Sequence, residues 1–484
     1  MNRADVVTLV LALANFVIVV VATVFISANR RPSAAIAWVL AIVFIPFLGA
    51  LAFFLVGAGK LPESRRRKQR QVNELMLART PGLAQVGHRD QWPAWLPSAA
   101  QLNLNLGALP MVGGNRAELL PDYQGSLDAM TREVDTATDY VHVQFYIFVL
   151  DDVTAPFFAA LGRAVARGVR VRVLFDHLAC LLLPRRSETV AALTEMGAEW
   201  HALLPLRPLR GQWQRPDLRN HRKLLIIDGR VGFTGSQNMI DSSYLKPKNL
   251  ARGLHWHELV VRVEGPVVRE LNAVFVVDWY SETDEHLPLD HSPVVLGTEN
   301  HLLDAQVVPS GPSFDNDNNL ALYALLIQSA RHRISITSPY FVPEESTLLA
   351  ITTAALRGVA VELFVSAIGD QALVYYAQRS YYEALLRAGV TIYLYEAPTV
   401  LHSKHFTIDD DVAVIGSSNM DIRSFSLNME VSLLVQGADF VRRMRLIEDG
   451  YRARSVALDL KDWLTRPAGK KARDNLARLT SSLQ

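Results

Sequence analysis

The chain has 484 residues, 50% of them hydrophobic and 20% charged, which excludes a disordered or fibrous protein and suffices for two or three domains with buried cores. Its 49 Lys and Arg residues nearly balance its 48 Asp and Glu residues, so the net charge of +1 excludes a protein that coats nucleic acid through its overall charge. The single cysteine, Cys180, excludes an intramolecular disulfide and a cysteine-rich zinc site, and is typical of a reducing compartment.

The N-terminal segment contains two long uncharged runs. The first extends from Val6 to Asn29 and the second from Pro32 to Gly59, with only Arg30 and Arg31 between them. A bilayer core about 30 Å thick requires roughly 20 apolar residues in a helix, so each run is long enough to cross it. We therefore predict that residues 1–59 form a hairpin of two transmembrane helices. A cleaved signal peptide is the alternative, and the length of the first run and the second run behind it disfavour it.

A basic segment follows the second run, and its cationic residues are Lys60, Arg65, Arg66, Arg67, Lys68 and Arg70. By the positive-inside rule this segment predicts that the bulk of the chain lies in the cytoplasm. We assign residues 60–100 to a basic juxtamembrane linker. Its charges either act only as a topology signal or also hold the body of the protein against anionic headgroups.

The remainder of the chain alternates short β-rich runs with helical segments, the pattern of α/β layers, and this pattern occurs twice. Three predicted strands recur about 190 residues later in the chain: 140–148 and 333–341, 170–175 and 360–365, and 199–203 and 391–395. A glycine ends the helix before the second and third strand of each set, as expected for a C-cap. We therefore predict two homologous α/β domains, residues 101–290 and residues 291–484.

A polar motif also occurs once in each half, with identical spacing. His221, Lys223, Asp228, Ser236 and Asn238 in the first half match His402, Lys404, Asp409, Ser417 and Asn419 in the second. In each copy the histidine and the lysine are two residues apart at the start of an apolar run, so on a strand both side chains point to the same face. The aspartate has the opposite parity and lies at a predicted hairpin turn, which favours a role in the turn or its hydrogen-bond network.

Two imidazoles and two ammonium groups in one pocket suit the chemistry of a phosphodiester. Lysine supplies compact positive charge, and serine and asparagine supply fixed hydrogen bonds to the non-bridging oxygens, so no metal is needed for the transition state. One neutral histidine can attack phosphorus while the other, protonated, donates a proton to the leaving alkoxide. The histidines also lack the cysteine or acidic companions of a usual zinc site.

A nucleophilic histidine requires an acceptor on its far ring nitrogen. Glu430 lies 28 residues after His402 and Glu258 lies 37 residues after His221, and each is a lone acid at the start of an apolar strand. We predict that each glutamate orients the histidine of its own half. An ordinary carboxylate at a strand edge is the alternative.

Two further features have two interpretations each. The aromatic pairs Phe145 and Tyr146, and Tyr340 and Phe341, either line the substrate pocket or belong to the core. The arginines near the C-terminus mark either a solvated helix face or a membrane contact: Arg442, Arg443, Arg445, Arg452 and Arg454.

The doubled motif resembles that of the phospholipase D superfamily, and the chain as a whole resembles the bacterial cardiolipin synthases with two N-terminal spans. The segments 338–343 (SPYFVP) and 463–467 (WLTRP) support the resemblance. It implies two phospholipase D-like α/β domains that form one pseudo-two-fold active site, with the nucleophile in the N-terminal half and without a metal or other cofactor. It also implies that each histidine, lysine and asparagine of the motif lies in one shared site. The predicted roles are catalysis by His221, Lys223, Asp228, His402, Lys404 and Asp409, phosphate binding by Ser236, Asn238, Ser417 and Asn419, and orientation of the histidines by Glu258 and Glu430.

The resemblance further implies a reaction and a location. Two phosphatidylglycerols would give cardiolipin and glycerol through a phosphohistidine, in a multi-pass protein of the bacterial inner membrane whose catalytic domains face the cytoplasm. The partners would be phosphatidylglycerol, cardiolipin and a bilayer with anionic lipids, and no nucleic acid. A membrane-anchored phosphodiesterase in which water attacks the phosphohistidine is the alternative, because transfer and hydrolysis differ only in water exclusion and acceptor access. A non-catalytic membrane scaffold is a third hypothesis, and the two intact motifs disfavour it.

Overall fold

The computed structural model describes residues 3–29, 32–57, 60–79, 86, 89–107, 109–181, 183–207, 209, 212, 215–288 and 302–481. The chain divides into two compact units, one of residues Met1–Leu61 with Arg215–Asp217 and the other of residues Pro62–Gln214 with Leu218–Gln484. The predicted domain boundary between residues 290 and 291, and the predicted turn at Arg30 and Arg31, lie outside the described residues.

The N-terminal unit contains three apolar helices, α1 (Arg3–Asn29), α2 (Pro32–Phe44) and α3 (Pro46–Val56). In the described part of the chain, only the stretch Thr8–Ser27 of α1, with a mean hydropathy of 2.9, is both long and apolar enough to cross a membrane as one helix. The second apolar run is divided at Pro46, whose nitrogen carries no hydrogen for a helical bond. The single second helix expected from the sequence is therefore replaced by two helices of 13 and 11 residues that pack on α1.

The second unit holds a duplicated α/β body. The elements of its first half are α4 (Glu63–Arg79), α5 (Leu96–Asn105), β1 (Val112–Leu120), α6 (Tyr123–Asp135), β2 (Tyr140–Phe145), α7 (Ala155–Ala166), β3 (Arg170–Asp176), α8 (His177–Leu181), α9 (Arg186–Glu195), β4 (Glu199–Leu203), β5 (Arg219–Asn220), β6 (Leu224–Ile227), β7 (Val231–Gly235), α10 (Pro247–Ala251), β8 (His255–His257), β9 (Val260–Glu264) and α11 (Val267–Thr283).

The elements of the second half are β10 (Leu303–Ser310), α12 (Asn318–Ser329), β11 (Arg333–Thr337), β12 (Phe341–Val342), α13 (Glu345–Leu356), β13 (Ala360–Ser366), α14 (Ala372–Ala388), β14 (Thr391–Tyr395), β15 (Thr399–Leu401), β16 (His405–Ile408), β17 (Val412–Gly416), β18 (Met420–Asp421), α15 (Ile422–Ser426), β19 (Asn428–Gln436), α16 (Ala438–Ala453), β20 (Ser455–Ala457), α17 (Leu460–Leu464) and α18 (Ala468–Arg478).

One mixed sheet runs through both halves, and the strands of each half follow the same order. The order is β1, β9, β7, β6, β2, β3, β4 in the first half and β10, β19, β17, β16, β11, β13, β14 in the second. Antiparallel pairing of β1 with β10 joins the two sets, and α11 and α16 cover a core shared by the central strands. The common order confirms the predicted duplication of an α/β domain.

The predicted helix ends are confirmed by the backbone. Gly168, Gly197, Gly358 and Gly389 have φ angles of 87°, 82°, 91° and 95°, the left-handed conformation of a C-cap. The strand that follows each glycine begins within three residues and pairs in parallel with its neighbour in the sheet. Each cap therefore ends a helix and sets the start of the strand that follows it.

Residues 60–100, predicted as a linker, contain α4 and the start of α5. α4 lies against α11, and its basic side chains form ion pairs with acids distant in the sequence. Arg65 bonds Glu282 at 2.7 Å, Lys68 bonds Asp284 at 2.6 Å, and Arg66 bonds Asp315 at 2.7 Å, while Arg70 pairs with Glu63 and Asp315. Much of the positive charge of this segment is therefore used to dock a helix on the body.

Candidate active site

Two pairs of short parallel strands carry the histidines to the centre of the body. β5 ends immediately before His221 and pairs with the start of β19, and β15 ends immediately before His402 and pairs with β8. The backbone amides of His221 and His402 donate to the carbonyl oxygens of Met429 and His257, each at 2.8 Å. Because Glu430 follows Met429 and Glu258 follows His257, each histidine lies beside a glutamate of the other half.

Two crossed histidine–glutamate pairs result. Nδ1 of His221 is 3.0 Å from Oε2 of Glu430, and Nδ1 of His402 is 2.7 Å from Oε1 of Glu258. All four side chains are buried. The predicted pairing of each histidine with the glutamate of its own half is wrong, because the strands before the histidines cross between the halves and pair with the strands before the glutamates.

Each lysine of the motif lies beside the histidine of its own half. Nζ of Lys223 donates to the carbonyl oxygen of His221 at 2.6 Å, and Nζ of Lys404 donates to that of His402 at 2.7 Å. Burial lowers the pKa of Lys223 to about 7 and that of Lys404 to about 8, although the glutamates raise both. Each buried lysine is therefore cationic below its lowered pKa, and the two glutamates favour this charged form.

The His221–Glu430 pair has a defined tautomer. Nδ1 of His221 is also 3.1 Å from the carbonyl oxygen of Ser417, which can only accept a hydrogen bond, so Nδ1 carries the hydrogen and Nε2 presents its lone pair. Glu430 also accepts hydrogen bonds from the hydroxyls of Ser417 and Ser424. Burial raises the pKa of Glu430, but His221, Lys223 and Ser417 outweigh it and hold this pKa below its ordinary value. Burial lowers the pKa of His221 to about 4.

The His402–Glu258 pair has fewer hydrogen-bond donors. The phenol of Tyr244 donates to Oε1 of Glu258 at 3.2 Å, and no described group forms a hydrogen bond with Oε2. Burial raises the pKa of Glu258 to about 7, although the charge of Lys404 and the hydroxyl of Ser236 lower it. Burial also lowers the pKa of His402 well below its ordinary value. Near neutral pH the proton of this pair is therefore held by Glu258.

The serines and one asparagine of the motif support the framework of the site. The hydroxyls of Ser236 and Ser417 accept hydrogen bonds from the amides of Leu259 and Val431, each at 3.0 Å. Asn238 accepts from the amide of Ile147 and donates to the phenol of Tyr244. These bonds hold the loops of the site in place, and the phosphate contact predicted for Ser236, Ser417 and Asn238 stays a prediction.

Asn419 differs from these three residues. Its backbone amide donates to Ser424, and its side-chain Oδ1 is buried without a hydrogen bond to any described group. Among the four predicted phosphate ligands, Asn419 is the one with a buried side-chain atom, Oδ1, that has no hydrogen-bond partner in the described part of the chain.

The two aspartates of the motif are turn residues. Asp228 and Asp409 have φ angles of 52° and 48°, and their carboxylates accept hydrogen bonds from backbone amides of residues 138–140 and 331–333. A strand of four residues separates each aspartate from the motif lysine. This geometry corrects the catalytic role that the resemblance implied for Asp228 and Asp409, and it agrees with the turn role that their parity favours.

In each of the two aromatic pairs, one side chain lies against a histidine of the site and the other does not. The ring centroids of Tyr146 and His221 are 4.8 Å apart, and those of Tyr340 and His402 are 6.0 Å apart. Phe145 and Phe341 are buried in hydrophobic clusters of the two halves. Each aromatic pair therefore contributes one ring to the site and one to the core.

Sequence reasoning missed Tyr244 and Ser424. They lie six residues after Asn238 and five residues after Asn419, in loops that the repeat relates to each other. Aligning these two loops with each other, and not only the two motifs, would have identified both residues.

It also missed a buried ion pair behind the site. Arg222, between His221 and Lys223, bonds both carboxylate oxygens of Asp278 on α11 at 2.8 Å, and its Nε donates to the carbonyl oxygen of Glu430 at 3.0 Å. Arg222 and Asp278 are fully buried. This pair ties the backbone of Glu430, in the second half, to a helix of the first half.

The duplicated sheet with two histidine–glutamate pairs at its centre has the architecture of the phospholipase D superfamily. It is similar to the crystal structure of phosphatidylserine synthase from Haemophilus influenzae Rd KW20, with a TM-score of 0.58 and 13% sequence identity over 79% of this chain and 99% of that chain. At this identity the similarity shows the fold.

Two family models and two relatives then define the family. The model described as cardiolipin synthase, PLD-like domain, matches residues 130–279 and 323–447, and the phospholipase D-nuclease N-terminal model matches residues 16–57. Cardiolipin synthase A of Proteus mirabilis (strain HI4320) is 32% identical over 462 residues, which cover 94% of each chain. Cardiolipin synthase of Geobacillus kaustophilus (strain HTA426) is 31% identical over 472 residues, which cover 96% of this chain and 92% of the relative. The chain therefore belongs to the cardiolipin synthase family.

Proposed function

We propose that this chain transfers the phosphatidyl group of one phosphatidylglycerol to a second phosphatidylglycerol, giving cardiolipin and glycerol. The observation that carries the proposal is the pair of crossed histidine–glutamate contacts, in which one histidine presents a lone pair and the other lies beside a glutamate that holds a proton. A double displacement at phosphorus needs one group of each kind.

In the first step, Nε2 of His221 attacks the phosphorus of phosphatidylglycerol. The P–N bond forms, the bond from phosphorus to the headgroup oxygen of glycerol breaks, and Nε2–H of His402 protonates the leaving oxygen. The proton on Glu258 moves to Nδ1 of His402 at the same time, so the imidazole remains neutral. Glu430, ionised and bonded to Nδ1–H of His221, stabilises the positive charge that develops on this ring.

The lysines and one asparagine stabilise the charge on phosphate. Lys223 and Lys404 lie beside the two histidines, and Nδ2 of Asn419 can donate hydrogen bonds, so we assign these three side chains to the non-bridging oxygens of the transferred phosphate. Their positions are fixed before the substrate binds, and such preorganised charge is worth more in a buried pocket than in water.

In the second step, a glycerol hydroxyl of another phosphatidylglycerol attacks the phosphohistidine. Nε2 of His402 accepts the proton of this hydroxyl while the proton on Nδ1 returns to Glu258, the new P–O bond forms, and the P–N bond to His221 breaks. The two steps together exchange one phosphodiester for another, so the overall reaction is close to thermoneutral and added glycerol drives it backward.

We also propose that the protein is an integral protein of the bacterial inner membrane with its catalytic body in the cytoplasm. The apolar helix α1 and the basic residues after α3 support this orientation. The divided second run forms the return span as α2 and α3 together. A reporter fused to the C-terminus should be active only inside the cell, and periplasmic activity of the fusion would contradict the orientation.

The reaction is tested with the purified chain in mixed micelles that contain labelled phosphatidylglycerol, with products separated by chromatography. Cardiolipin and free glycerol should form in equal amounts. Phosphatidic acid as the main product, with no cardiolipin in glycerol-free mixtures, would instead identify the chain as a hydrolase.

A further inference from the structure

Two basic segments that the sequence offers for membrane contact are largely neutralised within the body. The ion pairs of α4 with Glu282, Asp284 and Asp315 are described above. On α16 and just after it, arginines form ion pairs in the same way, namely Arg442 with Asp439, Arg445 with Glu448, Arg452 with Glu362 and Arg454 with Glu396. A negatively charged surface therefore has to compete with bound carboxylates at both places.

A third basic segment has a different character. It is the exposed stretch 246–252, which contains Lys246, Lys248, Leu250 and Arg252 and no acidic residue. No described acidic side chain forms an ion pair with either lysine, and Leu250 is 56% exposed. The guanidinium of Arg252 donates to the carbonyl oxygen of Gly369 at 3.2 Å, and a second exposed leucine, Leu373, follows Gly369 by four residues. We call residues 246–252 together with Leu373 the rim patch.

Both parts of the rim patch are close in sequence to residues that contact the active site. Tyr244, two residues before Lys246, donates a hydrogen bond to Glu258 of the site. Asp370, three residues before Leu373, accepts a hydrogen bond from Tyr340 at 3.0 Å, and the ring of Tyr340 lies against His402. The apolar and basic side chains of the patch are therefore within a few residues of groups that contact the His402–Glu258 pair.

We propose that the rim patch is the surface by which the catalytic body rests on an anionic bilayer, with Leu250 and Leu373 entering the headgroup region and Lys246 and Lys248 binding lipid phosphates. Exposed leucines beside unpaired lysines are complementary to a negatively charged interface, and isolated apolar residues gain from partial insertion there. This inference rests on the proposed function, because it names the surface that brings lipid headgroups to the site.

The first test measures contact without measuring turnover. Cys180 is buried, so a Leu250→Cys variant can be labelled selectively with an environment-sensitive nitrobenzoxadiazole fluorophore. The full chain is reconstituted in vesicles of phosphatidylcholine alone or of phosphatidylcholine with phosphatidylglycerol. We expect a blue shift and quenching by lipids with a spin label near the headgroup only in the vesicles with phosphatidylglycerol.

Leu356 supplies the matched control. It is 74% exposed and ends α13, just before β13 begins, whereas Gly369 follows the end of β13, so Leu356 lies at the opposite end of this strand. Label on Leu356→Cys should not respond to phosphatidylglycerol. The proposal is overturned if the emission of label at Leu250→Cys does not change. It is also overturned if the emission shift depends on the density of protein in the vesicles rather than on lipid charge, because the patch would then be a contact between two copies of the chain.

The second test separates the patch from the chemistry. The double variant Lys246→Glu and Lys248→Glu should raise the apparent KM for phosphatidylglycerol in vesicles, by about fivefold for each lysine removed. Its kcat on a short-chain, monomerically dissolved phosphatidylglycerol should be unchanged. An equal loss on both substrates overturns the assignment of the patch, and it leaves the proposed function intact if cardiolipin is still formed.

Discussion

The two histidine–glutamate pairs of the site have the same residue types but different surroundings. Glu430 accepts hydrogen bonds from two hydroxyls, Ser417 and Ser424, in addition to His221. Glu258 accepts from one phenol, its Oε1 lies 2.7 Å from Nδ1 of His402, and its second oxygen has no partner among the described groups. Because donors stabilise a buried carboxylate, the first pair contains an ionised glutamate and the second a glutamate that retains its proton near neutrality.

The difference arises in the loops after the motifs. At the position six residues after the motif asparagine, the first half has Tyr244 and the second half has Phe425. One position earlier, Ser424 bonds Glu430, whereas Ser243 bonds Asp241 instead of a site glutamate. A duplicated motif thus supplies two equal histidines, and the loops that follow divide the roles of nucleophile and acid between them.

The largest expected effect is the loss of either imidazole. His221→Ala and His402→Ala should each reduce turnover by about 10³-fold or more, because nucleophile and acid lie on one reaction path. With a phosphatidyl ester of an activated leaving group, which needs no acid, His402→Ala should accumulate a phosphohistidine and His221→Ala should not. Label trapped on His402 in the His221→Ala variant would reverse the assignment of the two pairs.

Glu430→Gln should be the next most damaging change, with a loss of about 10²- to 10³-fold in kcat. The amide can still accept the hydrogen bond of His221 but lacks the charge that stabilises the phosphorylated ring. Since Glu430 raises the pKa of His221, its loss should also shift the acidic limb of the pH profile downward. Wild-type phosphohistidine formation in this variant, measured by single-turnover quenching, would remove Glu430 from the mechanism.

The pH profile itself separates the two pairs. The pKa of His221 is about 4, and protonation below that pH removes the lone pair of the nucleophile. The pKa of Glu258 is about 7, so the proton that the leaving group needs is present below pH 7 and is lost above it. We expect kcat/KM to be level between these values and to fall about tenfold per pH unit above the upper one. Because the pKa of Lys223 is also about 7 and that of Lys404 about 8, Glu258→Gln should make the alkaline limb shallower without removing it, and the remaining rate should be about 10²-fold lower; a limb of unchanged slope would assign it to the lysines alone.

Much of the fold could be predicted from the sequence because the signals are local. Strands β4 and β14 have the predicted bounds, since a glycine cap precedes each apolar run. The position of Asp228 in a turn was also predictable, because its parity along the strand is opposite to that of His221 and Lys223.

The partners of the charged residues could not be predicted in this way. The crossing of the glutamates depends on the pairing of a two-residue strand, Arg219–Asn220, with a segment more than 200 residues away, and such a strand has no periodicity. Likewise, Arg65 and Lys68 suggest lipid contact from their local charge, but their acids Glu282 and Asp284 lie on a distant helix end. The motif alone also does not show that backbone amides and a glutamate form hydrogen bonds with its serines.

The smallest expected effect concerns the hydroxyl of Tyr244, which links Asn238 to Glu258. Tyr244→Phe places in the first half the residue type that the second half has at Phe425, and it removes about 1 kcal/mol of hydrogen bonding, or roughly a fivefold loss in kcat. Because the hydroxyl lowers the pKa of Glu258, its loss should raise that pKa and move the alkaline limb of kcat/KM to higher pH. Tyr382→Phe is the matched control, since this buried hydroxyl accepts a hydrogen bond from Gln378 in the core of the second half. A merely structural role of Tyr244 would lower kcat without moving the limb, whereas a positioning role on Glu258 moves it in Tyr244→Phe and leaves it fixed in Tyr382→Phe.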